Sequence, residues 1–83
     1  MYFVYMLKTI NSKYNKTYVG YTNNLARRIE LHNTGKGAKS TKGFCWKIIF
    51  KKSFKNKSLA MIYEYKLKND KKKRNKILID SNG

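Results

Sequence analysis

Three stretches of the chain have the apolar and β-branched character of strands, and polar segments rich in turn-forming residues separate them. Tyr2–Lys8 is apolar almost throughout, a pattern typical of a strand that is buried on both faces. Thr17–Tyr21 is the second predicted strand, and Gly20 near its end marks a bulge or a close approach by another group. In Phe44–Phe54, apolar residues alternate mainly with lysines, which predicts a third strand. The turn formers before the second strand predict a hairpin loop over Thr9–Lys16.

Three other segments predict helices. Leu25–Asn33 has an apolar stripe at helical spacing, and either of the two asparagines that precede it can cap its first turn. Ser58–Asn69 is apolar on almost every side and contains one acidic residue. A short third helix is predicted over Lys71–Ile79, with Asp70 as its cap. Its first turn carries cations that oppose the helix dipole, which indicates a binding role or a frayed end.

The length of 83 residues predicts one small domain over residues 1–83. Its fold class is α/β, more specifically α+β, with a small three-stranded antiparallel sheet flanked by helices. The first strand is predicted to lie in the centre of the sheet, because it is apolar on both faces.

The charge of the chain is strongly positive, with 20 lysines and arginines against 4 acidic residues and a formal net charge of +16. Such a surface indicates a polyanionic partner, with nucleic acid first and an anionic membrane surface second. Gly35–Gly43 is a basic loop that either contacts phosphate or is plain surface. The single cysteine, Cys45, cannot form an internal disulfide and is predicted to be a small strand hydrophobe. No apolar run is long enough to span a bilayer, so a soluble, cytoplasmic protein is expected.

Helical phase separates two neighbouring arginines in the first predicted helix. At 100° per residue, Leu25, Ile29 and His32 share one face of the helix. Arg28 belongs to this inward side, where a buried charge is costly unless an anionic group meets it. Arg27 points the other way and is predicted to be ordinary surface.

An ordered set of residues resembles a known family of nucleases. Phe3-Val4-Tyr5 is followed by Tyr18-Val19-Gly20, then by Arg28 and His32 on one helix and Glu64 on the next. This set resembles the GIY-YIG nuclease superfamily, and is most similar to its small stand-alone, single-domain members. Those in turn resemble the nuclease module of structure-specific endonucleases. The first motif departs from the family pattern because it keeps the tyrosine but lacks the glycine.

The resemblance implies a role for each matching residue. Tyr5 matches the general base toward the attacking water, and Tyr18 matches the tyrosine that orients water or phosphate. Arg28 matches the arginine that stabilises charge on the scissile phosphate, and His32 matches a frequent site histidine. Glu64 matches the carboxylate that holds one divalent cation, Mg²⁺ or Mn²⁺. The family's late asparagine is left open between two positions, Asn69 and Asn75.

The function implied by this resemblance is a magnesium-dependent DNA endonuclease acting on branched or damaged DNA in repair or recombination. The alternative is a catalytically weak or inactive nucleic-acid-binding module of the same fold, and RNA binding rests on charge alone. A partner subunit or a homodimer is left open. Simpler interpretations also exist, such as an ion pair of Glu64 with Lys68 one helical turn away. For Tyr5 to act as a base, nearby cations are expected to lower its pKa.

Overall fold

The strands form one antiparallel sheet in which the first strand is central. The computed structural model describes residues 1–10, 13 and 15–82. The strands are β1 (Tyr2–Ile10), β2 (Thr17–Thr22) and β3 (Cys45–Phe54). Their order across the sheet is β2-β1-β3, and β1 pairs antiparallel with both neighbours. The predicted fold class and the central position of β1 are therefore confirmed.

The helices begin where asparagine or aspartate side chains cap them. They are α1 (Leu25–Asn33), α2 (Lys57–Lys68) and α3 (Lys71–Asn82), and a short 3₁₀ helix spans Lys39–Thr41. Asn24 caps α1, Asn56 caps α2 and Asp70 caps α3, each by accepting a backbone N–H from the first turn. α3 continues three residues beyond the predicted end. No helix in the described part of the chain is long and apolar enough to cross a membrane.

Alternating side chains of β1 build a core on each face of the sheet. Tyr5 and Leu7 are fully buried on one face, where Leu25 and Ile29 of α1 pack against them. Val4 and Met6 are buried on the other face, which α2 and α3 cover. The second core includes these further residues: Val19, Ala60 and Leu67, with Tyr63 and Ile77 at its margin. The sheet therefore lies between α1 and the α2–α3 pair.

The third strand departs from simple alternation because of an irregularity in its pairing with β1. Leu7 pairs with Ile48, whereas Met6 pairs with Phe50, so Ile49 is an extra residue on β3. Ile49 and Phe50 consequently both pack against the core that contains Met6. Ile48 shares the face of its partner Leu7, but 37% of its surface is accessible. Cys45 lies at the first position of β3, as predicted for a strand residue. Its side chain is exposed, however, so the prediction that it packs as a small hydrophobe is wrong.

The hairpin before β2 and the surface of α2 also differ from the sequence pattern. β1 extends two residues beyond its predicted end, and Asn11, Ser12 and Tyr14 of the predicted loop lie outside the described residues. On α2, only Ala60 and Leu67 are buried, because one side of the helix faces the sheet. Tyr63 is half-buried at the margin of the core. The other apolar residues of α2 are exposed, as follows: Leu59, Met61, Ile62 and Tyr65.

Candidate active site

Tyr5 occupies the middle of the central strand, and its ring crosses over the neighbouring strand at a glycine. Tyr5 pairs with Gly20 across the sheet, and its side chain is fully buried. A Cβ atom on Gly20 would lie 2.6 Å from the Tyr5 hydroxyl and 2.8 Å from its ring carbon Cζ. No side chain fits there without movement of the tyrosine. Gly20 is therefore explained by a close approach rather than by a strand bulge.

The Tyr5 hydroxyl lies between two groups of α1. Its oxygen is 2.9 Å from Nε2 of His32, and Nε of Arg28 donates to it at 3.3 Å. Tyr18 packs beside them, with its ring centroid 4.8 Å from that of His32 and 6.3 Å from that of Tyr5. The structure thus brings together four of the five predicted site residues. We refer to Tyr5, Tyr18, Arg28 and His32 as the Tyr5 cluster.

The two neighbouring arginines of α1 have different environments, as helical phase predicts. Arg28 is partly buried and its guanidinium contacts the Tyr5 hydroxyl. Arg27 is exposed, and its backbone N–H donates to the side-chain oxygen of the capping residue Asn24. His32, one turn after Arg28, is fully buried on the same side of the helix. The predicted phase of the helix is confirmed.

Burial sets the protonation state of the Tyr5 cluster. Removal from water raises the pKa of Tyr5 to about 12, and this effect outweighs the hydrogen bond and positive charge of Arg28. Arg28 lowers the pKa of Tyr5, as expected of a nearby cation, but the expected net decrease is wrong because desolvation of the phenolate dominates. Burial, and secondarily the charge of Arg28, lowers the pKa of His32 below its usual 6.5. At neutral pH the cluster holds a neutral phenol beside a neutral imidazole.

Glu64, the fifth predicted residue, lies on α2, and its link to the Tyr5 cluster is the effect of its charge on Tyr5. Its side chain is 15% exposed, and its charge is close enough to contribute to the raised pKa of Tyr5. It also forms an ion pair with Lys68 at 3.1 Å, so this simpler interpretation of Glu64 holds as well. Among the described residues, no three His, Cys, Asp or Glu side chains are grouped to hold a metal ion by themselves. One carboxylate fits only a cation that keeps most of its waters or takes oxygen ligands from a substrate.

A buried threonine that sequence reasoning missed completes the site. Thr41 is fully buried in the 3₁₀ helix, and its hydroxyl lies 2.9 Å from Nδ1 of His32. Trp46 holds the same residue by donating its indole N–H to the Thr41 carbonyl at 2.9 Å. A Cβ on Gly37 would lie 2.5 Å from Nδ1 of His32, so this glycine lets the loop close over the imidazole. The only sequence signal for this contact was the glycine spacing of the loop.

The two asparagines considered as the family's late asparagine lie away from these contacts. The Asn69 side chain donates to the Tyr65 carbonyl at 2.8 Å and closes the end of α2. Asn75 is exposed on α3. Within the described residues, no hydrogen bond joins either asparagine to the Tyr5 cluster.

Comparison with known proteins identifies similar sequences. The model of the GIY-YIG catalytic domain matches residues 1–77. The chain is 44% identical over 68 residues to UPF0213 protein OB0043 of Oceanobacillus iheyensis, covering 81% of this chain and 76% of that protein. It is 41% identical over 80 residues to UPF0213 protein YazA of Bacillus subtilis, covering 95% and 78% of the two chains. It is 44% identical over 69 residues to UPF0213 protein CPE1444 of Clostridium perfringens, covering 82% and 71%. No solved structure matches the chain significantly.

Proposed function

The chain belongs to the GIY-YIG family, whose catalytic domain is of nuclease type, and from this premise we propose that it hydrolyses phosphodiester bonds in DNA. The observation that carries the proposal is the Tyr5 hydroxyl, held between Nε2 of His32 at 2.9 Å and Nε of Arg28 at 3.3 Å. Branched or damaged DNA is the proposed substrate, with repair or recombination in the cytoplasm as the setting.

Tyr5 needs a proton acceptor to serve as a general base. With a pKa of about 12, only about one Tyr5 side chain in 10⁵ is ionised at pH 7. The neutral imidazole of His32 is in hydrogen-bond contact with that hydroxyl and can accept its proton. The proton of the attacking water then passes to the Tyr5 oxygen while the Tyr5 proton passes to His32. No free phenolate accumulates, so burial does not prevent the transfer.

Arg28 supplies positive charge where the reaction develops negative charge. Its guanidinium already hydrogen-bonds to Tyr5 and to Tyr18, and the side chain carries five N–H donors in all. The remaining N–H groups can contact the oxygens of a phosphate that approaches the Tyr5 hydroxyl. Arg28 also stabilises negative charge on the Tyr5 oxygen during the proton transfer. Both interactions are stronger in the transition state than before it, which is the condition for catalysis.

Glu64 is the residue that would hold a divalent cation, Mg²⁺ or Mn²⁺. When bound, such an ion neutralises charge on the phosphate and assists the departing oxygen. A single carboxylate is a weak magnesium ligand, so binding depends on the oxygens of the DNA phosphate. Lys68 competes for the same carboxylate at 3.1 Å. The Lys68 pairing is also the observation that favours the second candidate, a basic nucleic-acid-binding module that does not cut.

The test uses the purified protein and a panel of labelled duplex, flap, Holliday-junction and single-stranded DNA, with Mg²⁺ and with EDTA. We expect magnesium-dependent cutting that Arg28→Ala abolishes with little loss of DNA binding. Arg27→Ala is the matched control, because the same charge is removed one residue away on the exposed side of α1. It is expected to weaken binding mildly and to spare cutting. Binding without any cutting would support the non-cutting module, and equal effects of both substitutions would contradict the site.

A further inference from the structure

The hydroxyl of Thr41 has one proton and three polar neighbours. Its oxygen lies 2.9 Å from the carbonyl oxygen of Ala38, 3.2 Å from the backbone nitrogen of Ala38 and 2.9 Å from Nδ1 of His32. The carbonyl can only accept a hydrogen bond and the backbone N–H can only donate one. The Thr41 proton therefore points to the carbonyl of Ala38. Nδ1 of His32 must then carry a proton and donate it to the Thr41 oxygen.

The other end of the imidazole leads to the same assignment. Arg28 has no acceptor atom, so its Nε–H donates to the Tyr5 oxygen. The Tyr5 proton then points to Nε2 of His32, 2.9 Å away, which must be an acceptor. With the proton on Nε2 instead, the Tyr5 oxygen would face two donors. The side-chain donors of Arg28, Tyr5, His32 and Thr41 thus all point in one direction, toward the carbonyl of Ala38, an arrangement in which each hydrogen bond polarises the next.

The Thr41 hydroxyl is fixed by groups outside the Tyr5 cluster. The indole of Trp46 donates to the Thr41 carbonyl at 2.9 Å in a buried position. The Asn33 side chain then holds the backbone of Trp46 from α1, accepting its N–H at 2.6 Å and donating to its carbonyl at 3.2 Å. Because Gly37 has no Cβ, the loop lies directly against the imidazole. The position of the hydroxyl is therefore set by packing of the loop, α1 and β3.

We propose that Thr41 is a positioning residue that keeps the proton of His32 on Nδ1 and so leaves the Nε2 lone pair facing the Tyr5 hydroxyl. Its catalytic consequence rests on the proposed function, because only this tautomer can accept the Tyr5 proton. The assignment of the tautomer does not rest on the proposed function, because the tautomer exists in the protein without DNA or metal.

The tautomer is measured directly by ¹⁵N NMR of the imidazole in the protein without DNA. His32 is the only histidine of the chain, so its two ring nitrogens give unambiguous signals. We expect wild type and Thr41→Ser to show a protonated Nδ1 and an unprotonated Nε2 near neutral pH. Thr41→Val, which removes the acceptor, is expected to shift the proton toward Nε2. A wild-type protein with its proton on Nε2 would overturn the proposal, even if the valine variant fails to fold.

Cleavage separates this inference from the proposed function. Thr41→Val is expected to lower kcat on the order of 10²-fold, the low end of what a positioned proton acceptor contributes, with DNA affinity unchanged. Thr41→Ser, which keeps the hydroxyl, is expected to restore most of the rate. If the valine variant changes the tautomer but cuts at the wild-type rate, the positioning role is wrong although the enzyme is a nuclease. If the NMR result holds and no variant cuts any DNA, the proposed function fails while the tautomer assignment stands.

Discussion

Substitution of Gly20 by alanine tests whether the position of the Tyr5 hydroxyl controls the site. The added Cβ would lie 2.6 Å from that hydroxyl, 2.8 Å from Cζ of the same ring and 3.0 Å from Cε2 of Tyr18. The Tyr5 ring is fully buried and its hydroxyl is bonded to His32 and Arg28. The ring therefore cannot turn away without losing those contacts.

The size of the effect follows from these distances. Moving the hydroxyl from 2.6 Å to the 3.4 Å of ordinary contact requires a shift of about 0.8 Å. A misplacement of about 1 Å in a catalytic group costs roughly 10²-fold in rate. Forcing an extra methyl group into a packed core costs about 1–3 kcal/mol of folding free energy. We therefore expect Gly20→Ala to fold with reduced stability and to cut DNA on the order of 10²-fold more slowly.

The assay combines thermal unfolding with single-turnover cleavage, and Gly43→Ala is the control. Gly43 has a φ of +87° and no atom within 4 Å of its added Cβ. Alanine there costs about 1–2 kcal/mol through the left-handed backbone conformation, without touching the Tyr5 cluster. The two variants should thus lose similar stability while only Gly20→Ala loses activity. Wild-type cleavage by Gly20→Ala, or equal losses of rate in both variants, would refute the reasoning.

The remaining predictions concern the cation, the DNA and the histidine. Glu64→Gln should lose magnesium-dependent cleavage and yet bind DNA as well or better, because one negative charge near the phosphate is gone; an unchanged cleavage rate in this variant would contradict the site. If about six phosphates are neutralised, DNA affinity measured by anisotropy should fall by roughly 10³ between about 50 and 200 mM salt, and a flat response would exclude DNA as the main partner. The lowered pKa of His32 means that the unfolded chain binds a proton more readily than the folded protein. The stabilising contribution of neutral His32 should therefore be complete above pH 6.5, the usual pKa of histidine, and should be lost as the pH falls through the pKa of the folded protein. Thermal melts as a function of pH should show a weaker pH dependence of stability in His32→Gln.

The strands and helices could be predicted from the sequence because they follow local rules of apolar pattern and helix capping. β1 is apolar on both faces, so its central position followed from burial alone. The predicted caps before α1 and α3, provided by Asn24 and Asp70, marked the starts of those helices through simple side-chain chemistry. The irregularity at Ile49 could not be predicted, because an extra residue on β3 depends on register with β1 and not on local pattern.

The candidate site could be predicted only in part, because some of its features depend on burial in the folded chain. Helical phase placed Arg28 and His32 on the inward side, and family motifs supplied Tyr5 and Tyr18. The pKa of Tyr5 was predicted in the wrong direction, because net charge is visible in a sequence whereas desolvation of one hydroxyl is not. Thr41 lies in a polar, glycine-containing loop whose composition indicates surface, and only the fold shows it to be buried against the imidazole.

The most direct test of the account compares wild type with Tyr5→Phe, a change that removes one oxygen and keeps the ring in the core. Both proteins are incubated in excess over a labelled substrate that the wild type cuts, with Mg²⁺ and at equal DNA occupancy. We predict that Tyr5→Phe binds DNA like wild type but cuts it about 10²–10⁴-fold more slowly, the range that positioned acid–base groups contribute. Cutting by Tyr5→Phe at the wild-type rate would contradict the claim that this hydroxyl carries the reaction.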